Sequence, residues 1–155
     1  MLVVIDIGNT NITMGIYKEN KLLGNYRLTT KMKRTSDEYG FMLMNFLQAS
    51  KVESDEIQDV IVSSVVPKIM HSFLNSIRKY MHKEPIVVGP GIKTGISVKA
   101  ENPKAVGADR IVDAAGAFYE YGGPCLVVDF GTATTFDYVD EHGNFEYGAI
   151  TFGIE

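Results

Sequence analysis

One short segment occurs twice in the sequence, and this repeat limits the possible folds more than any other feature. Residues 2–11 read Leu-Val-Val-Ile-Asp-Ile-Gly-Asn-Thr-Asn, and residues 125–134 read Cys-Leu-Val-Val-Asp-Phe-Gly-Thr-Ala-Thr. Each copy joins an apolar run typical of a buried strand to an Asp-x-Gly turn and then to Asn or Thr residues. Asp6 and Asp129 are equivalent, and 123 positions separate them. The chain is therefore predicted to contain a duplicated unit whose second copy is cut short.

The pattern around the two copies predicts an α/β fold. Each copy opens a meander of three strands, because turn residues separate further β-rich segments at 11–17 and 21–28, and again at 133–139 and 145–151. Between the meanders, helices and short strands alternate. Helix starts are predicted at the capping box Thr35 to Glu38, at Pro67 and at Asn102-Pro103, and strands at 60–62 and 86–88. We place one domain at 1–115 and the start of a second at 116–155.

Composition excludes several classes of protein. The chain has 155 residues, 45% of them hydrophobic, which is enough for a sizeable core. Its net charge of -4, with no basic block longer than residues 31–34, argues against nucleic acid or anionic lipid as a partner. Because no apolar run approaches the roughly 20 residues of a membrane helix, and because Cys125 is the single cysteine, we expect a cytoplasmic protein without a disulfide.

The two Asp-x-Gly turns carry the clearest chemical signal. An aspartate at the end of a strand can hold a hydrated divalent cation, a glycine lets backbone N–H groups approach an anion, and Thr or Asn side chains donate to phosphate oxygens. One such turn alone is most often only a hairpin turn. Since two unrelated turns need not share the same residues in the same order, the duplication favours a pair that clamps a polyphosphate.

A second candidate site is the run Gly107-Ala108-Asp109-Arg110 at the start of the third helix. The small residues leave room for a ligand, and an acceptor stands beside a permanent cation. Phosphoryl transfer passes through a loose transition state, so a carboxylate suffices to orient a hydroxyl and take its proton. Asp109 fits that role. The alternative is an exposed helical face on which Arg110 pairs with Asp113 or Glu101.

The loop Gly89-Pro90-Gly91-Ile92-Lys93-Thr94-Gly95 has Ile92 where a P-loop needs a glycine before its Lys-Thr pair. We therefore interpret it as a loop near a substrate or as a rigid turn. Together with Asn102-Pro103, the 107–110 run and both Asp-x-Gly turns, it makes the whole sequence resemble type III pantothenate kinases, which belong to the acetate and sugar kinase, Hsp70 and actin superfamily. The resemblance implies a ribonuclease H-like (actin-like ATPase) domain with a mixed five-stranded sheet and helices, followed by the first strands of a duplicated second domain.

The resemblance also implies the site residues and ligands. Asp109 is implied as the catalytic proton acceptor, and Asp129 as the ligand of a monovalent cation, K⁺ or NH₄⁺. The residues implied to bind ATP, with Mg²⁺, are Asp6, Ile7, Gly8, Asn9, Thr10, Asn11, Ile12, Thr13 and Thr132. The residues implied to contact pantothenate are Gly107, Ala108, Asp109 and Arg110. A homodimer is implied as well.

The implied activity is ATP-dependent phosphorylation of pantothenate to 4'-phosphopantothenate, the first step of coenzyme A biosynthesis. Two alternatives stay open on the residues alone: a nucleotide-binding regulatory protein of the same fold without kinase activity, and a kinase of another small hydroxy acid. The sequence departs from the family at Ala100, where some members carry an aromatic residue, and at Phe152, where proline is usual. Family members continue past Glu155, so we expect this chain to be a fragment.

Overall fold

The computed structural model describes residues 1–89 and 92–154, and the chain forms two compact units, Met1–Val88 and Gly89–Glu155. Pro90 and Gly91, from the loop that the sequence analysis associates with a substrate, lie outside the described residues. The sequence-based boundary between 115 and 116 falls inside the third long helix. That helix lies within the second compact unit, which begins earlier in the chain than the predicted domain boundary.

The first unit is a mixed sheet of five strands with helices on one face. The strands are β1 (Leu2–Ile7), β2 (Asn11–Lys18), β3 (Lys21–Thr29), β4 (Asp59–Ser64) and β5 (Ile86–Val87). Their order in the sheet is β3-β2-β1-β4-β5. The first three are antiparallel neighbours, whereas β4 and β5 run parallel to β1. The helices are α1 (Ser36–Ala49) and α2 (Pro67–Ser76), and α2 continues as a π-helical turn over Ile77–Met81.

Alternation along β1 decides which face of this sheet is covered. Val3, Ile5 and Ile7 are almost completely buried, and they pair in register with Ile16, Met14 and Ile12 of β2. This apolar face forms the core with the buried faces of α1 and α2. Because successive side chains of a strand point to opposite faces, Asp6 lies on the other face, where it is exposed.

Local signals set the helix starts of the first unit as predicted. Thr35 caps α1, since its hydroxyl accepts from the Glu38 N–H at 3.3 Å while the Glu38 carboxylate accepts from the Thr35 N–H at 2.7 Å. The Thr35 N–H holds the pKa of Glu38 below its ordinary value. Pro67 occupies the first turn of α2, where its missing N–H costs nothing.

The second unit is a four-stranded sheet with one long helix. Its strands are β6 (Ser97–Val98), β7 (Cys125–Phe130), β8 (Ala133–Val139) and β9 (Asn144–Phe152), in the order β6-β9-β8-β7. The helix α3 spans Ala108–Tyr121 and packs on β7 and β8. Its buried Ala114 meets Val139 and Phe145 in a small core.

The predicted start of the third helix at Asn102-Pro103 is wrong. Pro103–Ala105 form only a 3-10 turn, Val106 is extended, and α3 begins after Gly107 as its N-cap. The Asn102 side chain makes no capping hydrogen bond, and the turn that begins at Pro103 ends at Ala105 without continuing into a helix. Among the described residues, no helix is long and apolar enough to cross a membrane.

The two repeated segments form matching hairpins that differ by one residue. Asp6 pairs with Thr13, and Asp129 pairs with Thr135, so the second turn is one residue shorter than the first. Their apolar faces have different environments. Leu126, Val128 and Phe130, the counterparts of Val3, Ile5 and Ile7, are 61%, 37% and 66% exposed. Helix α3 packs on the opposite face of β7 and β8, which carries Val139.

Two glycines inside helices allow a matched test of packing in the first unit. A Cβ on Gly40 of α1 would overlap the ring of Tyr80, whereas a Cβ on Gly116 of α3 would meet no atom of the described residues outside its own helix within 4 Å. Replacing glycine by alanine inside a helix raises the free energy of unfolding by about 1 kcal/mol. An added methyl group that overlaps a packed side chain lowers it by about 1–3 kcal/mol. Gly40→Ala should therefore lower the free energy of unfolding, whereas Gly116→Ala should raise it.

Thermal or urea denaturation of the two variants beside the parent protein measures both effects. Equal stabilisation by the two alanines would show that Tyr80 does not pack on α1.

Candidate functional site

The first Asp-x-Gly turn closes over Gly8, Asn9 and Thr10 between β1 and β2. The Gly8 N–H donates to the Asn11 carbonyl at 2.9 Å, and a Cβ on Gly8 would lie 3.2 Å from that oxygen. A side chain at this position would crowd the Asn11 carbonyl, and the Gly8 amide is used inside the turn. Asp6, Asn9 and Asn11 are exposed around it. A ligand at this turn would meet those side chains and the later amides.

Not every residue that the resemblance assigns to ATP presents a side chain to solvent. Ile7 and Ile12 are buried in the core and face each other across β1 and β2. Thr13 is half-buried and lies opposite Asp6 on the exposed face. Any contribution of the two isoleucines to a ligand would come from their backbone groups.

Thr30, directly after β3, holds the first turn in place. Its hydroxyl donates to the Gly8 carbonyl at 2.8 Å, and its N–H donates to the Thr10 carbonyl at 2.9 Å. The residue is buried. No local sequence motif marks this role of Thr30, because the contact joins residues 22 positions apart. Two bonds from one residue fix both ends of the turn.

The second turn is supported at the equivalent place by a different means. Asp129, at the end of β7, and Thr132, in the turn, are both exposed. The Gly131 N–H donates to the Ala133 carbonyl at 3.0 Å. Gly153 follows β9 as Thr30 follows β3, and a Cβ on it would overlap the carbonyl oxygens of Gly131 and Thr132. Close backbone packing therefore replaces the hydroxyl of Thr30.

The run 107–110 lies at the start of α3, with Gly107 as N-cap and Asp109 in the first turn. Asp109 is half-buried, and its Oδ1 accepts from the Arg110 N–H at 2.8 Å. This bond orients the carboxylate at the positive end of the helix dipole. Its second oxygen is not engaged by that bond, so the carboxylate has room to accept a proton from a ligand.

Arg110 forms an ion pair across the second unit. Its Nε donates to both carboxylate oxygens of Asp137 on β8 at 3.1 Å, and its Nη2 donates to Oδ1 of the same carboxylate. The guanidinium also lies over the Phe145 ring, 5.8 Å from its centroid. Arg110 thus faces the sheet, where it pairs with Asp137, an acid that the sequence does not single out. Asp137 was missed because it is 27 positions away.

A buried serine hydroxyl lies next to the strand that carries the first turn. Ser63 of β4 lies in register with Asp6, and its hydroxyl is buried without a hydrogen-bond partner among the described residues. An orphaned hydroxyl beside an exposed carboxylate suits a site completed by water or by a ligand. Within residues 1–89 and 92–154, no group of three or more His, Cys, Asp or Glu could hold a metal ion. Mg²⁺ bound to phosphates needs only one or two carboxylates.

Within each unit, some of the predicted site residues lie close together. The first unit places Asp6 to Thr13 on one hairpin. In the second unit, Asp129 and Asp137 are on the same face of the sheet as diagonal neighbours across β7 and β8, and Arg110 reaches that face from α3. The first cluster combines one carboxylate with hydrogen-bond donors, and the second combines two carboxylates with the donors of Arg110.

The family model described as type III pantothenate kinase matches residues 2–155. The chain belongs to the type III pantothenate kinase family. A type III pantothenate kinase of Bifidobacterium longum (strain DJO10A) is 55% identical over 154 residues, 99% of this chain and 60% of that protein. One of Listeria innocua is 53% identical over 99% of this chain and 60% of its own length. The chain thus spans about 60% of the relatives that it matches.

Solved structures confirm the predicted actin-like ATPase fold. A ROK hexokinase from Thermus thermophilus superposes with a TM-score of 0.53 at 10% identity, covering 91% of this chain and 46% of that one. A reductive activator for a corrinoid, iron-sulfur protein superposes with a TM-score of 0.54 at 13% identity, covering 96% and 30%. At such identities the likeness concerns the fold alone.

Thr30→Val tests how far the first turn depends on its hydroxyl. Valine keeps the shape of threonine but leaves the Gly8 carbonyl without its donor, a change of about 1 kcal/mol. If the turn binds phosphate, we expect ATP to bind about fivefold more weakly, because the turn is less well preorganised. Calorimetric titration with ATP measures the affinity, and melting measures the stability.

Ser50→Ala is the matched control. It removes the 2.7 Å hydrogen bond between Ser50 and Tyr26, elsewhere in the first unit, and should lower stability without changing the affinity for ATP. Equal ATP affinities in the Thr30 variant and the parent would contradict the role of Thr30 at the turn.

Proposed function

We propose that this protein, as its full-length gene product, transfers the γ-phosphoryl group of ATP to the terminal hydroxyl of pantothenate, giving 4'-phosphopantothenate in the first step of coenzyme A biosynthesis. The observation that carries the proposal is the family match across residues 2–155, with both Asp-x-Gly turns and Asp109 present. Because the chain spans only part of its relatives, activity belongs to the whole protein.

The first hairpin supplies the groups proposed to hold the nucleotide. Gly8 keeps the turn tight, while Asn9, Thr10 and Asn11 offer side-chain and backbone donors to phosphate oxygens. Asp6, exposed at the strand end, would hold Mg²⁺ through water. The bound ion would neutralise charge on the phosphates. Thr132, exposed in the second turn, would add a contact to ATP.

Asp109 is the proposed catalytic base. Its carboxylate would accept the hydroxyl proton of pantothenate as the oxygen attacks the γ-phosphorus and the bond to the leaving ADP breaks. The backbone N–H of Arg110 donates to Asp109 Oδ1 at 2.8 Å. This hydrogen bond would hold the carboxylate in one orientation before the substrate binds. Gly107 and Ala108, which carry little or no side chain, would let the substrate approach the first turn of α3.

Asp129 is the proposed ligand of a monovalent cation, K⁺ or NH₄⁺. It is an exposed carboxylate at the end of β7, next to the second turn. The charge of the ion would offset negative charge on the transferred group. We also propose a homodimer, as the resemblance implies, and a cytoplasmic location, where ATP is available.

Asp109→Asn tests the proton acceptor in the full-length protein. An amide cannot accept the proton, so kcat for pantothenate-dependent ADP release should fall by about 10²–10⁴-fold. Glu120→Gln changes an exposed acid on the same helix and should leave kcat unaltered. A coupled assay of ADP release with and without pantothenate gives the rates.

Full activity of the Asp109 variant would remove the base assignment. A parent protein that binds ATP but releases no ADP with pantothenate would support the regulatory alternative, and release only with another hydroxy acid would support a different substrate.

Asp129→Asn tests the cation separately. If Asp129 holds K⁺, activation of the parent enzyme by KCl over NaCl should be lost or shifted to much higher concentration, because a charged ligand is replaced by a neutral one. Titration of the rate with KCl at constant ionic strength measures this. Glu141→Gln, an exposed acid of the β8–β9 turn, serves as control. An unchanged KCl response in the Asp129 variant would place the cation elsewhere.

A further inference from the structure

Arg110 and Asp137 form a largely buried ion pair. The Arg110 side chain is 12% exposed and that of Asp137 is 2% exposed, whereas the side chains of the Arg78–Glu84 and Lys79–Asp37 pairs are at least 45% exposed. The contact is a fork, with Nε and Nη2 on one carboxylate. Such a geometry fixes the guanidinium plane as well as its position.

The backbone of the second sheet is shaped around this pair. Gly148 of β9 lies directly opposite Asp137 in the β8–β9 register. A Cβ on Gly148 would overlap Arg110 Nη2 and come within 2.7 Å of Asp137 Oδ1. Glycine in a strand interior weakens the strand, and it often marks a close approach of another group. Here that group is the guanidinium.

Asp137 engages two of the three guanidinium nitrogens of Arg110, Nε and Nη2. Asp137 takes the Nε–Nη2 edge, and Phe145 supports the face of the guanidinium. Nη1, which this carboxylate does not engage, carries the N–H groups through which Arg110 can still meet a ligand. Arg110 is also adjacent to Asp109, so the fork fixes a donor next to the proposed base.

We infer that Asp137 is a positioning residue of the substrate site, which acts by holding Arg110 with Nη1 directed to an acceptor oxygen of the substrate, and that Gly148 provides the space for this orientation. The inference rests on the proposed function, because it takes Arg110 as a substrate contact. Asp137 itself does not touch the substrate.

Stability alone is a poor explanation of this pair. Removing two charges from water has a cost that their attraction often fails to recover, and well-packed apolar residues would serve a core at least as well. A retained fork with a glycine opposite it therefore points to a requirement for orientation. A purely structural pair would affect melting without affecting how substrate binds.

The test uses steady-state kinetics of the full-length protein and its Asp137→Asn and Gly148→Ala variants. Both variants retain Arg110 but release or displace it, and we expect KM for pantothenate to rise about 10- to 100-fold while KM for ATP stays unchanged. Gly148→Ala keeps both charges. If Asp137→Asn does not fold, the KM of Gly148→Ala therefore still tests whether the orientation of Arg110 affects substrate binding. Asp137→Glu, which keeps the charge, should restore part of the affinity.

Val139→Ala is the control, because it removes buried volume from β8 two residues from Asp137 and should lower the melting temperature without changing KM. Folded Asp137 and Gly148 variants with the KM of the parent would overturn the inference while leaving the proposed function intact. A parent protein inactive on pantothenate would overturn the proposed function, and the substrate role of Asp137 with it.

Discussion

The two-residue alternation of β1 is the constraint on which the first unit depends. Val3, Ile5 and Ile7 enter the core beneath α1 and α2, so Asp6 must emerge on the other face at the end of the strand. A slip of one residue would bury the carboxylate and expose the isoleucines, which makes the register strongly specified. Burial of the apolar residues of β1 thus also determines that the Asp6 carboxylate is exposed at the end of the strand.

The two hairpins reach a similar turn geometry by different chemistry. Thr30 holds the first turn with donated hydrogen bonds, whereas Gly153 lies close to the backbone of the second turn. Both residues follow the third strand of their meander. The two hairpins thus have different residues at the position that follows their third strand, and the sequence similarity between them is confined to the first strand and its turn.

Sequence patterns predicted elements well where the determining contacts are local. The capping box of Thr35, the first-turn Pro67 and both meanders follow from neighbouring residues, and their predicted bounds agree with the structure to within two residues. Asn102-Pro103 was misleading because a cap signal also fits an isolated 3-10 turn. The supports of the site, Thr30 and Asp137, were not predictable, since each depends on a partner more than 20 positions away.

The open apolar face of the second sheet has a practical consequence. Leu126, Phe130 and Tyr147 place aromatic and aliphatic surface in water on one side of β7 to β9. A continuous exposed apolar surface promotes self-association of the protein and binds apolar dyes. A preparation limited to these residues should therefore aggregate more at higher protein concentration, and detergent should reduce this aggregation.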